Sequence, residues 1–126
     1  IRVFDIQRPG RQSEDWKLST RKGRGQKGII GAVEGSPLSP GLYAAGSYNR
    51  SVCIYHMSSK GKAVAFFADK GGDHSMGGVT QLLWAGEHLL LSGHRSDQWL
   101  RAWDLRVMGS SDDADQSRAL LHRFPR

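Results

Sequence analysis

Three residue types that act together in nucleophilic catalysis, His74, Ser92 and Asp97, occur within one stretch of this 126-residue chain. A serine, a histidine and an aspartate can serve as nucleophile, general base and orienting carboxylate in acyl transfer. That chemistry also calls for a G-x-S-x-G nucleophile elbow and for oxyanion donors. Ser92 stands in "LLLSGH", which is no such elbow, and no donor set can be named. Metal chemistry is equally unsupported. His56, His88, His94 and His122 have no paired ligand spacing, and Cys53 has no cysteine partner. "RKGRGQKG" (21–28) has the glycines and lysines of a phosphate loop without the G-x-x-x-x-G-K-[ST] spacing, and a strand rather than a helix follows it. "DDAD" (112–115) lacks the ligand spacing and closing glutamate of a calcium loop and reads as a solvated insertion. The sequence therefore calls for no cofactor, no metal and no enzyme activity.

The elements that carry these residues repeat. "WLRAWDLR" (99–106) alternates apolar and polar residues and closes in Trp103-Asp104. "SVCIYHM" (51–57) alternates in the same way with Tyr55 in the Trp103 position, and "IRVFDI" (1–6) offers Phe4. These aromatics are spaced 51 and 48 residues apart. The preceding segments repeat too, "KGIIGAVEGSP" with "GGVTQLLWAGE" and "LYAAGSYNRS" with "LLLSGHRSDQ". A period of roughly 45 residues with four short strands per unit marks a β-propeller blade. Alternation places strands near 1–6 and 16–20, then 28–34, 42–47, 51–57 and 62–68, then 78–84, 88–93, 98–104 and 117–124.

The expected fold is all-β: a fragment of a propeller holding about two and a half four-stranded blades, as one partial domain over 1–126. Residues 1–20 end one blade, 28–68 form the second and 77–124 the third. Such a piece starts inside a strand and stops after one. Alone it would leave two blade faces bare, which weighs against folding in isolation.

Blade phase gives the Ser-His-Asp set a structural use. In repeats that end in Trp-Asp, a histidine before the first strand meets a serine or threonine on the second. An aspartate in the following turn joins them, and a tryptophan on the third strand supplies its indole N–H. His74, Ser92, Asp97 and Trp103 fit these places, and a buried indole and a buried carboxylate both need such partners. Asp104 then closes its strand at the solvent edge, where it can accept turn N–H groups. The second blade has Gln26, Asn49 and Tyr55 at the matching positions, so its packing is expected to rest on apolar contacts.

Composition bounds the rest. Sixteen glycines and 38% hydrophobic residues favour turns and strands over helices. No apolar run is long enough for a membrane helix, and the first residues have neither the basic nor the apolar region of a signal peptide. A single cysteine excludes an internal disulfide and suits a reducing compartment. The charge is +6, which favours an acidic partner. Blade phase sorts that charge. The loops before each first strand and between second and third strands carry seven cations against three carboxylates, and the opposite face carries five against six. Arg21, Lys22, Arg24, Lys27, Arg50 and Arg95, with Tyr48 and His94 among them, could hold phosphates and stack a base.

The chain resembles the telomerase Cajal body protein family, and the resemblance covers essentially all of it. Its anchors are "IRVF" with "RPGR" (1–4, 8–11), "GIIGAVEGSP" (28–37), "LYAAGSYNRSVCIY" (42–55), "GGVTQLLW" (77–84) and "WLRAWDLR" (99–106). The acidic segment 107–116 looks longer than is usual there. The resemblance implies a seven-bladed WD-repeat propeller that recognises the CAB box of H/ACA-type small Cajal body RNAs and of telomerase RNA. It also implies ribonucleoprotein partners, a nuclear, Cajal-body location, and an accessory rather than catalytic part in telomerase. No family motif carries RNA contacts onto this segment. The candidate RNA-binding residues Arg21, Lys22, Arg24, Lys27, Tyr48, Arg50 and Arg95 rest on charge and blade phase. The alternative is a WD-repeat scaffold for proteins alone, without direct RNA contact.

Overall fold

A computed structural model describes residues 1–10, 12–15, 18, 26–68, 76–107 and 120–125. Among the described residues the regular structure is strand, apart from a single-turn 3-10 segment after the third strand of each large sheet. Strands β1 (Arg2–Phe4) and β2 (Gln12–Asp15) form an antiparallel pair. Strands β3 (Ile30–Gly35), β4 (Leu42–Ser47), β5 (Ser51–His56) and β6 (Ala63–Phe67) form one four-stranded meander. Strands β7 (Val79–Trp84), β8 (Leu89–His94), β9 (Trp99–Asp104) and β10 (Leu120–Pro125) form a second. This is the WD-repeat blade twice over. One strand differs from expectation: the partner of β1 lies at 12–15 rather than near 16–20, because the "RPGR" stretch turns the chain back at once, with the Arg8 N–H on the Asp5 carbonyl at 3.1 Å.

The pleat explains which residues the sheets bury. In β5, Ser51 through Tyr55 are all buried, so this strand is covered on both faces, as a blade strand between two neighbours must be. One face of the first large sheet and one face of the second share a core of Ala44, Val52, Ile54 and Phe67 with Met76, Val79, Leu82, Leu90, Trp103 and Leu105. Phe67 stacks on Trp103 across that boundary, with ring centres 5.6 Å apart and planes at 25°. Such a pair contributes about 0.5–1.5 kcal/mol beyond its buried area. The Trp84 indole donates to the Glu34 carbonyl at 3.2 Å, a second tie between the sheets. The sheets approach closely at Gly46, where a Cβ would overlap the Val79 side chain. The opposite face of the first sheet packs Ala45, Cys53, Tyr55 and Ala63 with Leu18, Ile30 and Phe66.

Candidate functional site

Of the residues expected to form a network in the second large sheet, the structure joins Trp103 to Ser92, and it brings in His94 and Arg101, which were not expected there. Paired strands put Ser92 of β8 beside Arg101 of β9, and Trp103 beside Leu90, so Ser92 and Trp103 project from the same side. The Trp103 indole donates to Ser92 Oγ at 2.7 Å, with both residues buried. Ser92 Oγ in turn lies 2.7 Å from His94 Nε2, and His94 Nδ1 lies 3.2 Å from the Gly77 carbonyl. An indole only donates and a carbonyl only accepts. His94 Nδ1 therefore donates to the Gly77 carbonyl, and the contacts run from Trp103 through Ser92 and His94 to Gly77. Asp97 accepts from the Gly77 and Trp99 N–H groups at 3.2 and 3.0 Å and pairs with Arg101 at 2.6 Å. Burial acts to raise the Asp97 carboxyl; Arg101 and the two backbone N–H groups outweigh it and hold the group below the usual carboxylate range.

Two corrections follow. His94 is not a cation of the outer face, since it is 1% exposed and closes the network from within. Arg101, unremarked in the sequence, is fully buried as the partner of Asp97. The signal was its spacing: Ser92 and His94 share one side of a strand, as do Arg101 and Trp103. His74 lies outside the described residues. Ser92 and His94 make the contact of a nucleophile and base, but Ser92 is 1% exposed and already holds an indole N–H, so a substrate carbonyl has no approach to it.

The first large sheet also departs from expectation. It does not rest on apolar contacts alone. The Tyr55 hydroxyl, on a fully buried side chain, donates to Gln26 Oε1 at 2.8 Å. Gln26 Nε2 donates to the Ala45 carbonyl at 2.9 Å and reaches Ser51 at 3.4–3.5 Å. Ser51 Oγ donates to Asn49 Oδ1 at 2.9 Å, the Asn49 N–H reaches Ser47 Oγ at 3.2 Å, and Ser47 Oγ donates to the Lys27 carbonyl. Glutamine, tyrosine and asparagine thus rebuild the arrangement with different donors. Phenol and amide can replace indole and imidazole because each still supplies the required donor or acceptor. Cys53 lies in the same layer. Burial, opposed by a hydrogen bond with Tyr55, pushes its thiol up to about 12, and burial followed by Cys53 raises the Tyr55 phenol.

Above these networks lie the turns that carry the candidate residues. Lys27, Tyr48, Arg50 and Arg95 are described and exposed. Arg21, Lys22 and Arg24 fall outside the described residues. The turn backbones meet at the seam between the sheets. The Arg95 N–H donates to the Gly78 carbonyl at 2.7 Å, and a Cβ on Gly78 would lie 3.0 Å from the Tyr48 Cα and carbonyl oxygen. The Tyr48 N–H donates to the Ile29 carbonyl at 2.9 Å. Its ring crosses Gly31, where a Cβ would stand 2.5 Å from Tyr48 Cε1. Only glycine at 31 and 78 allows this close approach. Among the described residues, Lys27, Arg50 and Arg95 have no acidic partner, while Asp97 is committed to Arg101. Asp104 sits at the other end of its strand as expected: it accepts the Arg106 N–H at 2.9 Å and pairs with the guanidinium at 2.8 Å. These bonds hold its carboxyl at about 2. Among the described residues no cluster of His, Cys, Asp or Glu could hold a metal.

No family model matches the chain. It is similar to telomerase Cajal body protein 1 of Bos taurus, Mus musculus and Homo sapiens, at 40% identity over 110 residues in each case. Those matches cover 86% of this chain. The chain belongs to the telomerase Cajal body protein family. It spans about one fifth of the length of these relatives, 19%. The polar networks, the seam glycines and the basic turns therefore lie in a chain that matches about one fifth of these relatives.

Proposed function

We propose that this segment belongs to a nuclear RNA-binding scaffold that recognises the CAB box of H/ACA-type small Cajal body RNAs and of telomerase RNA. The protein brings these RNAs and their ribonucleoprotein partners to Cajal bodies. The observation that carries this reading is the 40% identity to proteins named for telomerase and the Cajal body. The turn face supports it: three exposed cations without acidic partners among the described residues, beside an exposed tyrosine, suit a polyanion with planar bases. The scaffold acts by position and charge and performs no bond chemistry.

The test uses the full-length protein and a hairpin RNA with the CAB box in its loop. Binding should exceed that of a scrambled loop and fall steeply with salt. Replacing Arg21, Lys22 and Arg24 together by Glu should abolish it. Equal binding of the two loops refutes the reading and leaves a scaffold for proteins alone. RNA crosslinking in cells, read at peptide level, gives a second measure: CAB-box RNAs should be enriched, with crosslinks in 21–27 or 48–50.

A further inference from the structure

We propose that Tyr48 is the stacking platform for one unpaired nucleobase, held at the seam between the two large sheets, with Arg50 and Arg95 taking the flanking phosphates. The inference rests on the RNA-binding reading above and assigns it a particular residue and a particular contact.

The placement of Tyr48 sets it apart from the other exposed aromatics. The residue is 42% exposed, and its ring lies along the backbone at Gly31, a surface without a side chain. Its backbone is fixed on two sides, by the N–H bond to Ile29 and by contact with Gly78. A ring held in this way loses little freedom when a base lands on it, and base–aromatic stacking is strong and tolerant of base identity. Exposed aromatic surface could equally serve a protein, but the charge around it argues for nucleic acid. Arg50 stands two residues on in the same turn, and Arg95 bonds the Gly78 carbonyl that adjoins Tyr48. The turns that carry Arg50 and Arg95, one from each sheet, thus meet at the backbone beside Tyr48. The nearest carboxylate of these turns among the described residues, Asp97, is held by Arg101 and two N–H groups. The seam supplies phosphate-binding charge and a planar face together, which is the pattern a splayed single-stranded loop requires.

The test measures affinity of the full-length protein for the CAB-box hairpin, for its scrambled loop, and for hairpins made abasic at single loop positions. Tyr48→Leu should weaken CAB-box binding by about tenfold and leave its salt slope unchanged. Tyr48→Phe keeps the ring and should bind within about twofold of the natural protein. Arg50→Gln with Arg95→Gln should instead reduce the salt slope by one to two ions. One abasic position should weaken the natural protein as much as Tyr48→Leu does, with no further loss when the two are combined. Natural affinity in Tyr48→Leu, with CAB-box discrimination intact, overturns the platform and leaves the RNA-binding reading standing. Loss of discrimination in the natural protein overturns both. Loss of a protein partner from Tyr48→Leu at unchanged RNA affinity also overturns the platform. If Tyr48→Leu melts early, ultraviolet crosslinking of the natural protein decides: a Tyr48–base adduct supports the inference, and adducts confined to other residues overturn it.

Discussion

The Trp103–Ser92 hydrogen bond is the contact on which the blade network turns, and its strength can be separated from the packing around it. Trp103→Phe removes the indole N–H that reaches Ser92 Oγ at 2.7 Å, together with the second ring of a fully buried side chain. The lost hydrogen bond amounts to about 1 kcal/mol, because Ser92 Oγ keeps its bond to His94. The missing ring adds a transfer and void contribution of about 1–2 kcal/mol, part of it lost stacking on Phe67. The single variant should therefore lose about 2–3 kcal/mol. Ser92→Ala barely changes volume but strands both the indole N–H and His94 Nε2, and should lose about as much. In the double variant the indole N–H is no longer present to be stranded, so the two losses should fall short of additivity by about 1–2 kcal/mol. Urea unfolding of the full-length protein, with the m-value constant across the cycle, measures this. A coupling below about 0.3 kcal/mol refutes the hydrogen bond as a stabilising contact, however large the single effects are.

Tyr55→Phe should lower stability by about 1–2 kcal/mol, since it strands Gln26 Oε1; an unchanged unfolding midpoint would restore the purely apolar account of that sheet. Gly46→Ala should lose about 1–3 kcal/mol through overlap with Val79, and Val79→Ala should recover part of it in the double variant; an unaffected Gly46→Ala protein would mean the sheets do not meet there. The Cys53 thiol, raised to about 12, should react with Ellman's reagent at about pH 8 only after unfolding; rapid reaction of the folded protein refutes its burial. Asp104 stays ionised in the folded protein down to about 2, below the roughly 3.9 of an unfolded aspartate, so the unfolded chain takes up the proton first. Its contribution is complete above about pH 4 and is lost as pH falls toward about 2. Asp104→Asn should flatten the stability profile in that window, and parallel profiles would refute the Arg106 pairing.

Alternation made the strands legible. The expected 42–47 coincides with β4, and the remaining strands of the two large sheets fall within a few residues of their predicted ends. Trp103, Ser92 and Asp97 were legible because a buried indole and a buried carboxylate demand partners. His94 was not, because a histidine in a basic turn looks the same in sequence whether it faces water or the core. Only its place two residues after Ser92 on one strand distinguishes the two. Arg101 was hidden for a related reason. Its spacing puts it on the Trp103 side of the strand, but a charged residue is buried there only because Asp97, from the preceding turn, pairs with it. The Gln26–Tyr55 network was missed because its residue types differ from those of its twin, although its donors and acceptors occupy equivalent places.

The two networks share more than their positions. Each joins the segment before its sheet to the turn between its second and third strands. Gln26 and the Lys27 carbonyl meet Ser51, Asn49 and Ser47 in one, and Gly77 meets Asp97 and His94 in the other. Those are the turns that carry Tyr48, Arg50 and Arg95. Arg50 and Ser96 both hold a left-handed backbone, with φ of 69° and 54°, a conformation side-chain-bearing residues rarely adopt without support. The buried polar groups therefore hold the exposed ones in place. Ser92 and Asp97, which look catalytic in sequence, act here with His94 as anchors of a surface. Two kinds of damage to that surface can then be told apart. Loss of an anchor should lower stability and affinity together, because the turn moves. Loss of an exposed ring or cation should lower affinity alone, because only the contact is gone.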